Sequence, residues 1–465
     1  MSIAGMALAA LALIALLGGA LVYFSPEPGS DDTPQMSDDE ILEAAHQFYK
    51  SRPYYERPFL DFEIPEGLPD LRSETCGQCH GEIHREWSIS THRRAWTHNP
   101  QFMEELAKAR GDYYDDQDDD FSWMCVNCHT PMVPQLEKLV IGLENDEIGR
   151  PIYVDNPIFD EAMQDEAIGC ATCHVQDGTV YGPRGDTDAP HAVARGDHLL
   201  DEQNCVRCHQ AEAIFPEQNL GCFFSTGDEW EKSPAADKGH HCQDCHMPKT
   251  TRKLAEAYDV PERETRRHWF GGSLIPKQPE FEEEIKALRP IFGSGATVSL
   301  DLPDDADCDD EDCQKLAVRV HNEFAGHLFP TGDPERHVEV TAVVRNAHGD
   351  AVAEVSEQIG SRYQWYPEIK LLSDNRIEPG ESHLIDIDWP SAPEALTVEI
   401  EAYKYRMHED DFDYHDLHGR LVRGRRFHHS SWQVDNVRRE ATLEFVEDDF
   451  GRRDELDPEN TPPSN

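Results

Sequence analysis

Five segments of one form, Cys-x-x-Cys-His, constrain this chain more than anything else in it. They are Cys76-Gly-Gln-Cys79-His80, Cys125-Val-Asn-Cys128-His129, Cys170-Ala-Thr-Cys173-His174, Cys205-Val-Arg-Cys208-His209 and Cys242-Gln-Asp-Cys245-His246. Thirteen cysteines and 24 histidines scattered at random over 465 residues would give ~0.02 such segments. A zinc ribbon or a redox-active cysteine pair tolerates any residue after the second cysteine; here that residue is histidine every time. The spacing has a chemical reason. Two thiols add across the two vinyl groups of a haem, the intervening pair gives them reach, and the next residue sets an imidazole under the iron. The motifs therefore predict five covalent haem c groups, with His80, His129, His174, His209 and His246 as iron ligands.

The rest of the chain divides around these motifs. Residues 73–290 are dense in Cys, His, Gly, Pro and Asp and poor in aliphatic side chains. Five large macrocycles would supply the missing apolar interior, so this part should fold only as haem is attached. From about 294 the texture becomes short alternating runs, among them 296–302, 316–321, 337–345, 383–389, 396–406 and 441–446, bounded by turns such as His348-Gly349-Asp350 and Glu378-Pro379-Gly380. That is the pattern of an antiparallel β-sandwich. The expected fold class is α+β: a mostly irregular and helical pentahaem domain over 73–290, then a β-sandwich over 291–450. Residues 25–72 read as an acidic linker carrying a short helix, opened by a Ser37/Glu40 capping box. A second helix is expected from Pro100 to about Arg110, capped by Asn99 and ended by Gly111. The polar tail 451–465 is expected to be disordered.

Charge excludes one class of function. Against 92 Asp and Glu stand 42 Lys and Arg, a net −50, which repels nucleic acid and anionic lipid. Two readings of the acidity stay open: adaptation of the whole surface to a salty medium, or steering of a cationic redox partner. Ile3–Phe24 is an unbroken run of apolar and small residues, near the ~20 needed to span a bilayer. It reads as an uncleaved anchor more readily than as a signal peptide, because no Lys or Arg precedes Lys50. The expected location is therefore the periplasmic side of the cytoplasmic membrane, with the inner membrane and redox proteins as partners.

Three cysteines lie outside the motifs. Cys308 and Cys313 bracket an acidic turn and suit a local disulfide in an oxidising compartment; Cys222 has no assigned role. The acidic stretch Asp112–Asp120 lacks regular calcium-ligand spacing and reads as a solvated loop. Of the histidines beyond the five proximal ones, His92, His191, His268 and His327 sit in contexts that suit a sixth iron ligand, with His84 and His98 as weaker candidates. Gly326 and Pro330 shape the loop that carries His327.

Residues 76–102, with Cys76-Gly-Gln-Cys79-His80, Glu82, Glu86-Trp87, Thr91-His92, Ala95, Pro100 and Phe102, resemble the cytochrome c-552/4 family. The Cys242 motif followed by Met247-Pro248, the segment His268-Trp269-Phe270-Gly271-Gly272, and Gly326-His327 with Pro330-Thr331-Gly332 and Arg336 are similar to later haem segments and to the β-domain appended to many multihaem cytochromes. The resemblance covers about residues 73–405. It implies stacked haem pairs, mostly with two histidine ligands, and it favours His92, His191, His268 and His327 as distal ligands. The chain departs from the family's tetrahaem member in having five motifs, and it has no Cys-x-x-Cys-Lys segment. The expected function is a one-electron relay. Two alternatives remain open: an oxidoreductase with one open haem acting on a small nitrogen or sulfur compound, and a polymer-forming surface cytochrome, oligomeric by nature.

Overall fold

The structure, a computed structural model, describes residues 36–448 except 54–55, 61, 114–118, 186, 303–314, 389–394, 436–437 and 439. Ile3–Phe24, the first part of the acidic linker (25–35), the Cys308/Cys313 pair, the centre of the 112–120 stretch and the tail lie outside the described residues. Helices and antiparallel sheets share the chain, as the α+β expectation requires.

Four of the Cys-x-x-Cys-His motifs form or end a short helix, Ser122–His129, Cys170–His174, Gln203–His209 and Cys242–His246, and the helix Ser73–Gly77 runs into the first motif, ending before Cys79. Helical residues three apart share a face, so both thiols of a motif come to the same side. Between these helices run small hairpins, Lys138–Leu143 with Pro151–Asp155, Ala211–Phe215 with Leu220–Phe224, and Lys249–Lys253 with Glu262–Arg266. The helix Asp38–Lys50 carries the capping box of Ser37 and Glu40. It packs Ala45 and Tyr49 against Leu139 and Val140 of the first hairpin, and the Tyr49 hydroxyl accepts a hydrogen bond from Val140 N at 3.1 Å. The helix Pro100–Ala109 has Asn99 at its cap position, but the Asn99 side chain makes no capping bond. Gly111, at φ 79°, turns the chain away from it.

Beyond residue 294 nine strands form two sheets: β1 (Thr297–Asp301), β2 (Lys315–His321), β3 (His337–Arg345), β4 (Ala351–Gln364), β5 (Lys370–Asp374), β6 (Ser382–Asp388), β7 (Leu396–Tyr405), β8 (Gly424–Asp435) and β9 (Glu440–Asp448). One sheet has the order β1-β2-β6 and the other β5-β4-β3-β7-β8-β9. Their facing sides share one apolar core that includes Val318, Val338, Val340, Ile385, Val398 and Ile400. Strands β3 and β7 bury alternate residues, because successive side chains of a strand point to opposite faces.

Three side-chain-to-backbone hydrogen bonds are among those that tie this region to the motif-bearing part. The Arg425 Nε donates to Ser273 O at 2.9 Å, the Lys404 Nζ to Ser294 O at 2.6 Å, and Arg406 to Ile275 O.

Candidate haem-binding site

The five motifs converge. Cys76 lies in hydrogen-bond contact with Cys170, Cys128 with Cys208, and Cys205 with Cys242; Cys173 and Cys208 also interact. All five motifs are thus linked through neighbouring thiols, although long stretches of sequence separate them.

The histidines are prepared to bind metal through Nε2. The Nδ1 of His80 donates to Leu254 O at 2.7 Å, that of His129 to Ala95 O at 2.6 Å, that of His174 to Tyr181 O at 2.8 Å, and that of His246 to Gly271 O. A carbonyl can only accept, so the proton is fixed on Nδ1 and the Nε2 lone pair is left free. His268 and His327 are held the same way, by Arg266 O at 3.0 Å and Leu328 O at 2.9 Å. Burial pushes the His209 and His327 imidazoles down to about 4 and those of His92 and His268 to about 3, which keeps them neutral.

Three of the four distal candidates face a motif histidine. Ring centres are 6.4 Å apart for His92 and His209, 6.3 Å for His174 and His268, and 6.3 Å for His246 and His327. Two imidazoles bound to opposite sides of one metal stand about 6 Å apart, the sum of two bonds of about 2 Å and the two ring radii. The donor set and the spacing therefore fit a haem iron between each pair. His191 is not brought against a motif histidine among the described residues; its Nδ1 reaches only Ala192 O at 3.4 Å. His84 packs on Trp87 instead, with ring centres 5.3 Å apart, and His98 lies 3.7 Å from Asp165.

A buried ionic network positions His268. Glu86 accepts from Arg252 at 2.8 Å and from Arg267 at 2.6 Å, and its other oxygen accepts from the backbone N of His268 at 2.9 Å. Glu82 adds a 2.6 Å contact to Arg267, and Trp87 donates to Ile168 O at 2.8 Å. The Glu86-Trp87 pair was visible in the sequence; its link to residues 252 and 267 was not. His327 is braced from the other side. Thr331 Oγ1 donates to Glu229 at 2.5 Å, and Arg376 reaches Glu229 at 2.9 Å. A side chain at Gly326 would press on Ala235, at 2.9 Å, so only glycine lets the loop approach this closely.

His129 differs from the paired histidines. Phe102 stacks on its ring, with centres 3.5 Å apart and planes at 6°, and no second imidazole stands against it among the described residues. Burial pushes it down to about 4, opposed by the hydrogen bond to Ala95 O and reinforced by the nearby Lys277 ammonium. Cys222, unassigned from sequence, is half-buried near Cys125, Asp333 and Glu105, and desolvation raises its thiol well above the usual range.

Residues 71–259 match the family of outer-membrane cytochromes described as MtrC/MtrF-like, domains II/IV. Among solved structures the chain is similar to a penta-haem cytochrome c552 from Thermochromatium tepidum, at 16% identity and a TM-score of 0.53, over 82% of this chain and 98% of that one. A β-glucuronidase from glycoside hydrolase family 2 aligns at 10% identity over 30% of this chain and 11% of its own, with a TM-score of 0.13, too slight a likeness to define a fold. No curated protein matches.

One expectation is overturned. The family match is to outer-membrane cytochromes, not to proteins anchored on the periplasmic side of the cytoplasmic membrane. Ile3–Phe24, the run on which that anchor rested, lies outside the described residues, and among the described residues no helix is long and apolar enough to cross a membrane. What the motifs and the family match over residues 71–259 agree on is narrower: this chain is a multihaem c-type cytochrome, of the kind that transfers electrons through covalently bound haem c.

Proposed function

We propose that this protein relays electrons through five haems at the outer-membrane surface, passing them between redox proteins and an external acceptor. The observation that carries the reading is the set of three imidazole pairs at 6.3–6.4 Å. On it, His92, His268 and His327 are the sixth ligands of the haems held by the Cys205, Cys170 and Cys242 motifs, while His191 has no haem assigned to it. The surface location follows the family match over residues 71–259, and the c-552/4 resemblance is compatible with it. In this reading a pentahaem body over 73–290 is joined to a β-sandwich over 291–450 that supplies His327. The same exported state favours a disulfide between Cys308 and Cys313.

Bound haem supplies one-electron exchange at iron. The chain's own residues do the rest: the thiols fix each macrocycle, the carbonyl-held histidines set the ligand field, and burial tunes each potential. Linked thiols imply haems close enough to pass electrons without a mobile carrier. Intact mass should exceed the polypeptide by five haems, and protease applied to whole cells should remove the protein. Four or fewer haems in matured protein would end the pentahaem reading, and full protection in intact cells would end the surface reading.

A further inference from the structure

His129 is held from two directions by one short stretch of chain. Its Nδ1 donates to Ala95 O at 2.6 Å, and the Phe102 ring lies flat on its face, with centres 3.5 Å apart and planes at 6°. Aromatic pairs commonly stand about 4.5–7 Å apart, so these two rings are pressed into contact by what surrounds them. A turn and a helix start join the two holds: Asn99 N donates to Trp96 O at 2.8 Å, and Met103 N donates to Asn99 O at 3.1 Å. Phe102 is buried at the third position of the helix Pro100–Ala109, and Trp96 stands against it with ring centres 5.8 Å apart. Both belong to one apolar cluster with Ala95, Leu106 and Ala167, and Cys125 of the motif packs against that cluster.

No other motif histidine is gripped this way among the described residues. The rings that face His174, His209 and His246 stand 6.3–6.4 Å away, the separation of two ligands on one iron rather than of a stack. The two holds on His129 do different work. The hydrogen bond fixes the proton on Nδ1, yet it tolerates about 30° of misalignment before it weakens. The phenyl face removes that remaining swing. With Phe102 4% and Ala95 8% exposed, water is also kept from the bond between Nδ1 and the carbonyl. A ligand imidazole whose Nδ1–H is held by a carbonyl is a stronger donor to its metal.

We propose that Phe102 is a positioning residue: with Ala95 it fixes the plane of the His129 imidazole, and through it the potential of the haem attached at Cys125 and Cys128. The inference rests on haem attachment at that motif, which a haem count tests separately. It concerns the His129 side of that haem and leaves the relay through the others intact.

The experiment uses fully loaded protein and three variants. Phe102→Leu and Phe102→Met keep an apolar side chain without a flat face, whereas Phe102→Tyr keeps the face. The first two should retain five haems, move the g-values of one component in the electron paramagnetic resonance spectrum of the oxidised protein, and raise one of five midpoint potentials. The rise follows because a loosened Nδ1 bond makes the imidazole a weaker donor and favours the reduced iron. Phe102→Tyr should match the parent in both measurements. Leu and Met variants that match the parent overturn the proposal, since Phe102 would then only fill space. Several potentials moving together overturn it too, as general loosening of the fold would do. So does a Tyr variant that shifts as far as the Leu variant, or the loss of one haem in both Leu and Met variants, which would assign Phe102 to attachment rather than orientation. A parent with four haems or fewer, by contrast, strikes the pentahaem reading instead.

Discussion

Two regions of one chain hold themselves together by different means. Beyond residue 294, side chains suffice: β3 and β7 alternate buried and partly exposed residues, and the two sheets close over one continuous apolar core. In the motif-bearing region the apolar residues form several small separate clusters, one around Tyr49 and Leu139, another around Trp96 and Leu106, a third around Leu274 and Leu288. Cysteines, imidazoles and ionic networks occupy the space between them. The difference is the one expected where a covalent cofactor stands in for a side-chain core, and it predicts that the region using it does not fold alone.

The sharpest way to break that comparison is to withhold haem. Expressed without the attachment machinery, residues 73–290 should be digested quickly, while a fragment near 291–448 persists and gives a β-type circular dichroism spectrum. Equal survival of both regions would mean that side chains alone hold the motif-bearing part.

The next largest effect is expected at Glu86. It is nearly fully buried, and Glu86→Gln leaves the equally buried Arg252 with only the more exposed Glu82, at 3.4 Å, as counter-charge. Denaturation followed at the Soret band should show a loss of about 3–5 kcal/mol. A loss below about 1 kcal/mol, typical of an exposed pair, would mean that water reaches Arg252 and that the network does not position His268.

His327 tests the junction between the two regions. His327→Gly should give one additional high-spin haem and make the two-sheet region easier to clip, whereas His327→Met should keep six-coordination and raise the potential of one haem. Spectra and potentials that match the parent in both variants would place the ligand elsewhere.

The smallest effect belongs to the side-chain core. Ile400→Val should cost about 0.5–1.5 kcal/mol and leave every haem signal unchanged. A shifted Soret band in this variant would show that the two cores are not independent.

Much of the two-sheet region was legible as pattern. The runs at 337–345 and 396–406 match β3 and β7 almost residue for residue, because one side of each faces the core and alternation records it. The missed strands lack that record. β5 is exposed at every residue. β4 is mostly exposed or half-buried with a shift in register, and β8 turns Arg425, His428 and Ser430 inward to polar partners. In the haem site the distal candidates were legible from local context, and three of the four stand where a ligand could reach. His191 shows the weakness of that inference: a plausible neighbourhood in sequence says nothing about which ring stands opposite.

By itself the sequence determined the covalent chemistry. Two thiols and an imidazole within five residues form a local unit, and a single helical turn is enough to present them together, so no distant residue is needed to specify attachment. Only the tertiary structure decided which rings stand opposite each other: His92 and His209, His268 and His174, His327 and His246. The physical reason is range. A thioether link is fixed by neighbours along the chain, whereas a sixth ligand must be carried to within a bond length of the same iron by a separate segment, and which segment arrives there is settled by how helices, hairpins and sheets pack.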